Sequence, residues 1–213
     1  MCGSEGYRPA AEVELLRSGR VYMKTAIDHI NEEGKPDTQR LEFAVGDGSD
    51  FYLAANSGSL ELAFMNVGGK VYAVCGNNST YHQINFLEKT LLSAAGMDID
   101  SMVKEVSSLR DDMGGAREFI GWEKVTDEDG SELTVAEFAS QTGKRTKHYT
   151  RGDKLIKTEA FGENGQLNSV SHYEFVRPDV ESVIHDPGED GSLTEVGGMN
   201  FIRDLAAFMD EKV

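Results

Sequence analysis

The residue with the most distinctive chemistry stands second. Cys2 follows a lone Met1 and precedes Gly3-Ser4-Glu5-Gly6, a small, polar run suited to a flexible tether. This is how a bacterial lipoprotein reads when its signal peptide has been cut away and a start Met added, with Cys2 carrying the lipid. On that reading the protein is extracytoplasmic and held at the bacterial cell membrane by its N-terminus. The plainer reading is an incidental second-position cysteine in a cytoplasmic protein, and both stay open here.

Other residues that could do chemistry each have a plainer reading. The five histidines, His29, His82, His148, His172 and His185, have no mutual spacing that suggests a metal site. Asp127, Asp129 and Glu132 around Gly130 invite a calcium reading. The glycine comes fourth counting from Asp127, however, where an EF-hand loop needs it sixth, so a turn is expected. Arg151-Gly152-Asp153 spells an integrin-recognition tripeptide, but it sits where a hairpin needs a tight turn. Cys75 falls in an expected strand and reads as a buried, inert thiol. No nucleophile elbow, Walker loop or dinucleotide fingerprint occurs. The chain is expected not to be an enzyme and to need no cofactor or metal.

A cluster of cations stands out in an acidic chain. Lys144, Arg145, Lys147, Arg151, Lys154 and Lys157 lie close together in a protein of formal charge −16. They could form a site for an anionic headgroup or polymer, or simply a solvated strand face with lysines guarding an edge, and the second reading is preferred. The overall charge argues against nucleic acid as the main partner and disfavours adsorption to anionic lipid. No stretch approaches the roughly 18 consecutive apolar residues of a membrane span.

The elements that must position these residues are mostly strands. Gly 23 against Pro 4 points to many tight turns, and a hydrophobic fraction of 39% is enough for a core. Pro9 to Ser18 predicts a short helix. The period then becomes two, with strands expected at Val21–Ile27, Leu41–Val45, Phe51–Ala55, Leu60–Phe64, Val71–Cys75 and Tyr81–Ile84, parted by Gly- and Asn-rich turns. A helical insert follows at about 86–111. Its second half is capped by Asp98 or Asp100, with Ile99, Met102, Val103, Val106 and Leu109 on one stripe. Five more strands run from Glu118 to Val176. An acidic, Gly-rich stretch at 188–198 reads as a linker, and residues 199–213 as an amphipathic helix carrying Phe201, Ile202, Leu205, Phe208 and Met209. The fold class is thus α+β and mainly antiparallel β, with a tether at 1–8 and the main domain at 9–187.

About eleven strands at ~4.8 Å make a sheet roughly 50 Å wide, more than three helices can cover. Such a sheet is expected to curl. The runs SGRVYMKTAI, GSDFYLAANSGSLELAFMNVGGKVYAVCGNNSTYHQI, GWEKVTDEDGSELTVAEFASQTGKRTKHYTRGDKLIKTEAF and DVESVIHDP resemble the LolA/LolB-like lipoprotein superfamily, and more closely the clostridial-type surface lipoproteins. The resemblance covers about residues 9 to 187 and rests on pattern and turns. It implies a half-barrel, a strongly curved sheet wrapped around helices, often enclosing an apolar pocket for acyl chains. The helix from Phe201 lies outside that pattern.

Two functions follow as expectations. In the first, the curved sheet holds a lipid or other apolar or amphiphilic ligand, lined by Leu41, Phe43, Phe51, Leu53, Leu60, Leu62 and Phe64, with Met102 and Val106 from the insert. Membrane contact is then through the Cys2 anchor only. In the second, the core is filled and the C-terminal helix or the basic hairpin meets an unidentified protein partner.

Overall fold

A computed structural model describes residues 6–30, 34–57, 60–94, 98–101, 103–104, 118–127, 129–140, 143–189 and 191–210. In chain order the elements are α1 (Ala11–Ser18), β1 (Val21–Ile30), β2 (Pro36–Val45), β3 (Phe51–Ser57), β4 (Leu60–Val67), β5 (Lys70–Cys75), β6 (Thr80–Gln83), α2 (Phe86–Ala94), β7 (Glu118–Thr126), β8 (Glu132–Ala139), β9 (Arg145–Arg151), β10 (Lys154–Phe161), β11 (Leu167–Arg177), β12 (Thr194–Glu195) and α3 (Gly198–Asp210). Strands dominate, and the pairing is mostly antiparallel.

The chain divides into two compact units, each made of two separate segments. The first joins Met1–Leu41 to Asp112–Pro178, and the second joins Glu42–Asp111 to Asp179–Val213. The two blocks of strands seen in the sequence are therefore not the two units, because β1 belongs with the second block.

In the first unit the ladder runs β1-β11-β10-β9-β8-β7, antiparallel throughout. Helix α1 packs against β1, β10 and β11. It buries Val13 and Leu16, three residues apart and so on one side. Its end is set by Gly19, whose φ of 68° lets the chain turn out of the helix while its N–H reaches the Leu16 carbonyl. Beneath it, Val21, Met23 and Thr25 alternate inward along β1. Thr25 is satisfied by donating its hydroxyl to the His172 carbonyl at 2.9 Å. The Glu12 carboxylate accepts the Leu155 N–H at 2.7 Å, tying α1 to the start of β10. Arg17 lies over the buried Phe138 ring, and Tyr7 stacks on Phe119 with centroids 4.7 Å apart.

In the second unit, residues 42–45 of β2 pair with β3, and the ladder continues β3-β4-β5-β6, antiparallel. Strand β12 then adds to β6 in parallel. The stretch expected to be a linker thus contains a paired strand. Helix α2 opens with a reciprocal cap. Asn85 Oδ1 accepts the Glu88 N–H at 3.0 Å, and the Glu88 carboxylate accepts the Asn85 N–H at 2.9 Å. Asp98 caps the next helical turn, accepting the N–H groups of Asp100 and Ser101 at 3.1 Å each.

Leu16 is 6% exposed and fills the space between α1 and the strands beneath it. Leu16→Ala is expected to lower stability by about 2–5 kcal/mol. Urea unfolding checks this, and a loss under about 1 kcal/mol would mean that α1 packs loosely.

Candidate functional site

The register of the second unit decides which apolar residues share a face. Phe43 pairs with Leu53, Leu53 with Phe64, Phe64 with Ala73, and Ala73 with His82. Directly paired residues in a sheet point the same way, so this row crosses five strands on one face. Val45, Phe51 and Leu62 stand on the same face by the same pairing. Of the expected lining residues, Phe43, Phe51, Leu53, Leu62 and Phe64 are therefore brought together. Leu60 occupies the matching register position opposite Ser57. Leu41 is half-buried in β2 but belongs to the first unit. Met102 and Val106 lie outside the described residues, as does Cys2.

Burial grades along the row. Phe51, Leu62 and Phe64 are buried, whereas Phe43 and Leu53 are only half-buried. At the other end the row is closed by α3, which packs on β4 and β6. Its Phe201, 4% exposed, stacks on the His82 ring with centroids 5.3 Å apart. The C-terminal helix is thus docked through Phe201, while Met199 and Ile202 remain exposed. The side chains of Phe208 and Met209 lie outside the described set.

One carboxylate organises the closed end. Glu88 Oε2 lies 2.9 Å from His82 Nε2, and both side chains are nearly buried. His82 Nδ1 lies 2.8 Å from the Val196 carbonyl, just before α3. Burial alone would raise the Glu88 pKa, but the Asn85 N–H and the His82 contact outweigh it and hold the carboxyl below its ordinary value. A Cβ on Gly198 would collide with Glu88 Oε1, so a larger residue here would have to displace that carboxylate from its place beside α3. The carboxylate also stands at the positive end of the helix dipole. The sequence reading missed this group. The Asn-x-x-Glu spacing at 85–88, a capping-box signature, was the available signal.

The opposite face of the same strands is also apolar. Ala54, Ala63, Met65, Tyr72 and Val74 form a buried cluster, with Tyr52, Val67, Tyr81 and Leu193 packed against it. Tyr72 donates its hydroxyl to Asp186 at 3.0 Å. Burial and that bond push its phenol up to about 12.

Elsewhere, the expected turns at Gly130 and Gly152 are present. Asp127 and Asp129 both turn to the Arg151 guanidinium, at 3.0 and 3.2 Å, and Gly152 takes a φ of 60° in the hairpin turn. Among the described residues no group of three or more His, Cys, Asp or Glu is placed to hold a metal ion. Cys75, expected to be buried, is only half-buried because it is the last residue of β5, where the strand gives way to a turn, and its sulfur lies 3.6 Å from the Asn78 amide nitrogen. No helix among the described residues is long and apolar enough to cross a membrane.

Comparison with known proteins adds structural neighbours. No protein-family model matches the chain, and no curated protein does. Among solved structures it is similar to an uncharacterized conserved protein from Thermus thermophilus, at 11% identity over 87% of this chain and 94% of that one, with a TM-score of 0.40. It is similar to LprF from Mycobacterium bovis, at 10% identity over 83% and 96%, with a TM-score of 0.39. A LolA superfamily protein from Nitrosomonas europaea matches at 11% identity over 84% and 99%, with a TM-score of 0.32.

Two consequences of the Glu88 group can be measured by hydrogen exchange at the α3 amides. Gly198→Ala is expected to speed exchange along α3 while leaving β3 to β5 protected, and unchanged α3 protection would show that Glu88 does not seat the helix. For acid, the sign follows from the lowered carboxyl pKa. The stabilisation is present above Glu88's ordinary value of 4.5 and is lost as pH falls through the folded value below it. Protection of α3 that is shed only below pH 4.5 in the native chain, but is already weak at pH 7 in Glu88→Gln, would meet this expectation.

Proposed function

We propose that this is an extracytoplasmic, lipid-anchored protein that binds an apolar or amphiphilic ligand, such as an acyl chain, on one face of its sheet and performs no catalysis. The anchor is Cys2, with residues 1–8 as tether, and the sheet curves as in the LolA/LolB-like and clostridial-type surface lipoproteins that the sequence resembles. The observation that carries the reading is the graded row. Phe43, Leu53 and Phe64 stand in register on one face, and the end away from Phe201 is only half-covered. A wholly structural row would gain by burying Phe43 and Leu53 completely, since each buried side chain of this size contributes about 1.5–3 kcal/mol. Leaving them half-buried keeps an apolar landing surface beside a rigid core, as ligand sites commonly do. Phe51 and Leu62 on the same face, with Leu60 in the matching register position, complete the proposed lining in this unit.

A second reading draws on a different observation. Helix α2 exposes Phe86, Leu87 and Leu91, at 80, 73 and 61%, and Met199 of α3 is 80% exposed. Apolar residues this bare are what a protein partner would cover. On this reading the row is simply filled core.

Titration of the purified chain with a fluorescent fatty acid separates the two. Saturable binding that competes with unlabelled fatty acid is expected, weakened at least about tenfold by Phe43→Asp or Leu53→Asp. A chain that gives no saturable signal, or variants that bind as the native chain does, would sink the ligand reading and direct attention to Phe86, Leu87 and Leu91.

A further inference from the structure

The first unit gathers side chains of different chemistry on strands β8, β9 and β10. Register places Glu137 opposite Lys147 and Lys147 opposite Glu159, and in the next row Ala139 opposite Arg145 and Arg145 opposite Phe161. An open cleft of about 590 Å³ is lined by Glu137, Arg145, Lys147 and Phe161, and closed at its rim by the turns at Gly143 and Gly162–Gly165.

Ion pairing sorts the cations of this hairpin. Arg151 is held by Asp127 and Asp129, and Lys157 by Glu159 at 2.9 Å. Arg145 gives one nitrogen to Glu137 at 3.4 Å. Glu137 is only 6% exposed and Arg145 is 59% exposed, so a buried carboxylate fixes the guanidinium from below while its fork reaches solvent. Lys147 makes no ion pair among the described residues, and its ammonium stands 5.7 Å from the centre of the Phe161 ring. Glu159, its cross-strand neighbour, feels the Lys147 charge but is already engaged by Lys157 and by the Tyr149 hydroxyl at 2.7 Å. Glu163 lies on the rim, exposed, where water screens it. Among the described residues, the cleft thus holds an ammonium without an ion pair, beside a guanidinium that gives one nitrogen to Glu137.

We propose that this cleft binds a phosphate monoester of a small apolar group, its oxyanion between Arg145 and Lys147 and its apolar part against Phe161. A guanidinium supplies paired N–H donors in a plane, and an ammonium supplies a point charge, a combination suited to a tetrahedral dianion. Glu137 acts as a positioning residue. In a protein of formal charge −16 a general attraction for anions is absent, so binding depends on these local donors.

A soluble phosphate ester and a lipid headgroup share this chemistry. The test follows amide shifts by nuclear magnetic resonance in the full chain, titrated separately with inorganic phosphate, phenyl phosphate and dihexanoyl phosphatidic acid. Saturable shifts at Arg145, Lys147 and Phe161 are expected, with at least one ester binding more tightly than inorganic phosphate. The tighter ester identifies the source. Lys147→Gln should weaken that ester at least about tenfold. Lys154→Gln, which removes a hairpin cation outside the cleft, should leave affinity within about twofold. Arg145→Gln strands Glu137, so its thermal unfolding is measured first, and if it unfolds early the Lys147 variant decides alone. No saturable shift with any of the three compounds would overturn the proposal, as would equal losses in Lys147→Gln and Lys154→Gln.

Discussion

Strands β3, β4 and β5 carry apolar side chains on both faces, and each face therefore needs a cover. Phe51, Leu62, Phe64 and Ala73 point one way; Ala54, Ala63, Met65, Tyr72 and Val74 point the other. Strands buried on both sides read as continuous apolar runs, which is how LELAFMNV and KVYAVC look in the sequence. The chain from Asp186 to Phe201 meets much of this need by passing around the edge strand. Pro187 is buried, Leu193 packs on the tyrosine-bearing face, β12 pairs with β6 at the edge, and Phe201 reaches the phenylalanine-bearing face. Pairing β12 to β6 also satisfies backbone groups that an open edge would leave to water or to another chain.

The same path explains why one carboxylate matters so much. Glu88 serves the first turn of α2, faces His82 on β6 and borders the first residue of α3. A nearly buried carboxylate is tolerated because donors surround it. His82 reaches both the Glu88 carboxylate and the Val196 carbonyl, one through each ring nitrogen. The closed end of the row is thus held by these polar contacts together with the Phe201 stack.

Strand positions were legible because period-two runs and Gly or Asn turns mark them locally. The expected Leu41–Val45, Phe51–Ala55 and Val71–Cys75 all fall within observed strands, and parity grouped Phe43 with Val45, Phe51 with Leu53 and Leu62 with Phe64 within their strands, while the shared face across strands depends on register. Long-range choices were not legible. Nothing local says that Met23 sits opposite Val176, a pairing that takes β1 out of its own block and into the other unit. The strand at Thr194–Glu195 is two residues long, too short to show a period, and its acidic surroundings read as solvated linker. Nor could sequence distinguish the hairpin's cations, because which of them are neutralised depends on Glu137, Glu159 and the Asp127–Asp129 turn arriving from other strands.

Those pairings bear on what the basic hairpin is for. A strand face that only needs solvation gains nothing from burying Glu137 beneath Arg145, because desolvating a carboxylate costs more than an exposed pair returns. Replacing Glu137 with an apolar residue would solve the packing problem at lower cost, yet the chain keeps the acid and aims the guanidinium outward. Arg151 and Lys157, by contrast, pair with exposed or half-buried acids and need no further account. The hairpin is therefore a solvated edge over most of its length and a prepared site at one end, the end where Lys147 and Phe161 meet.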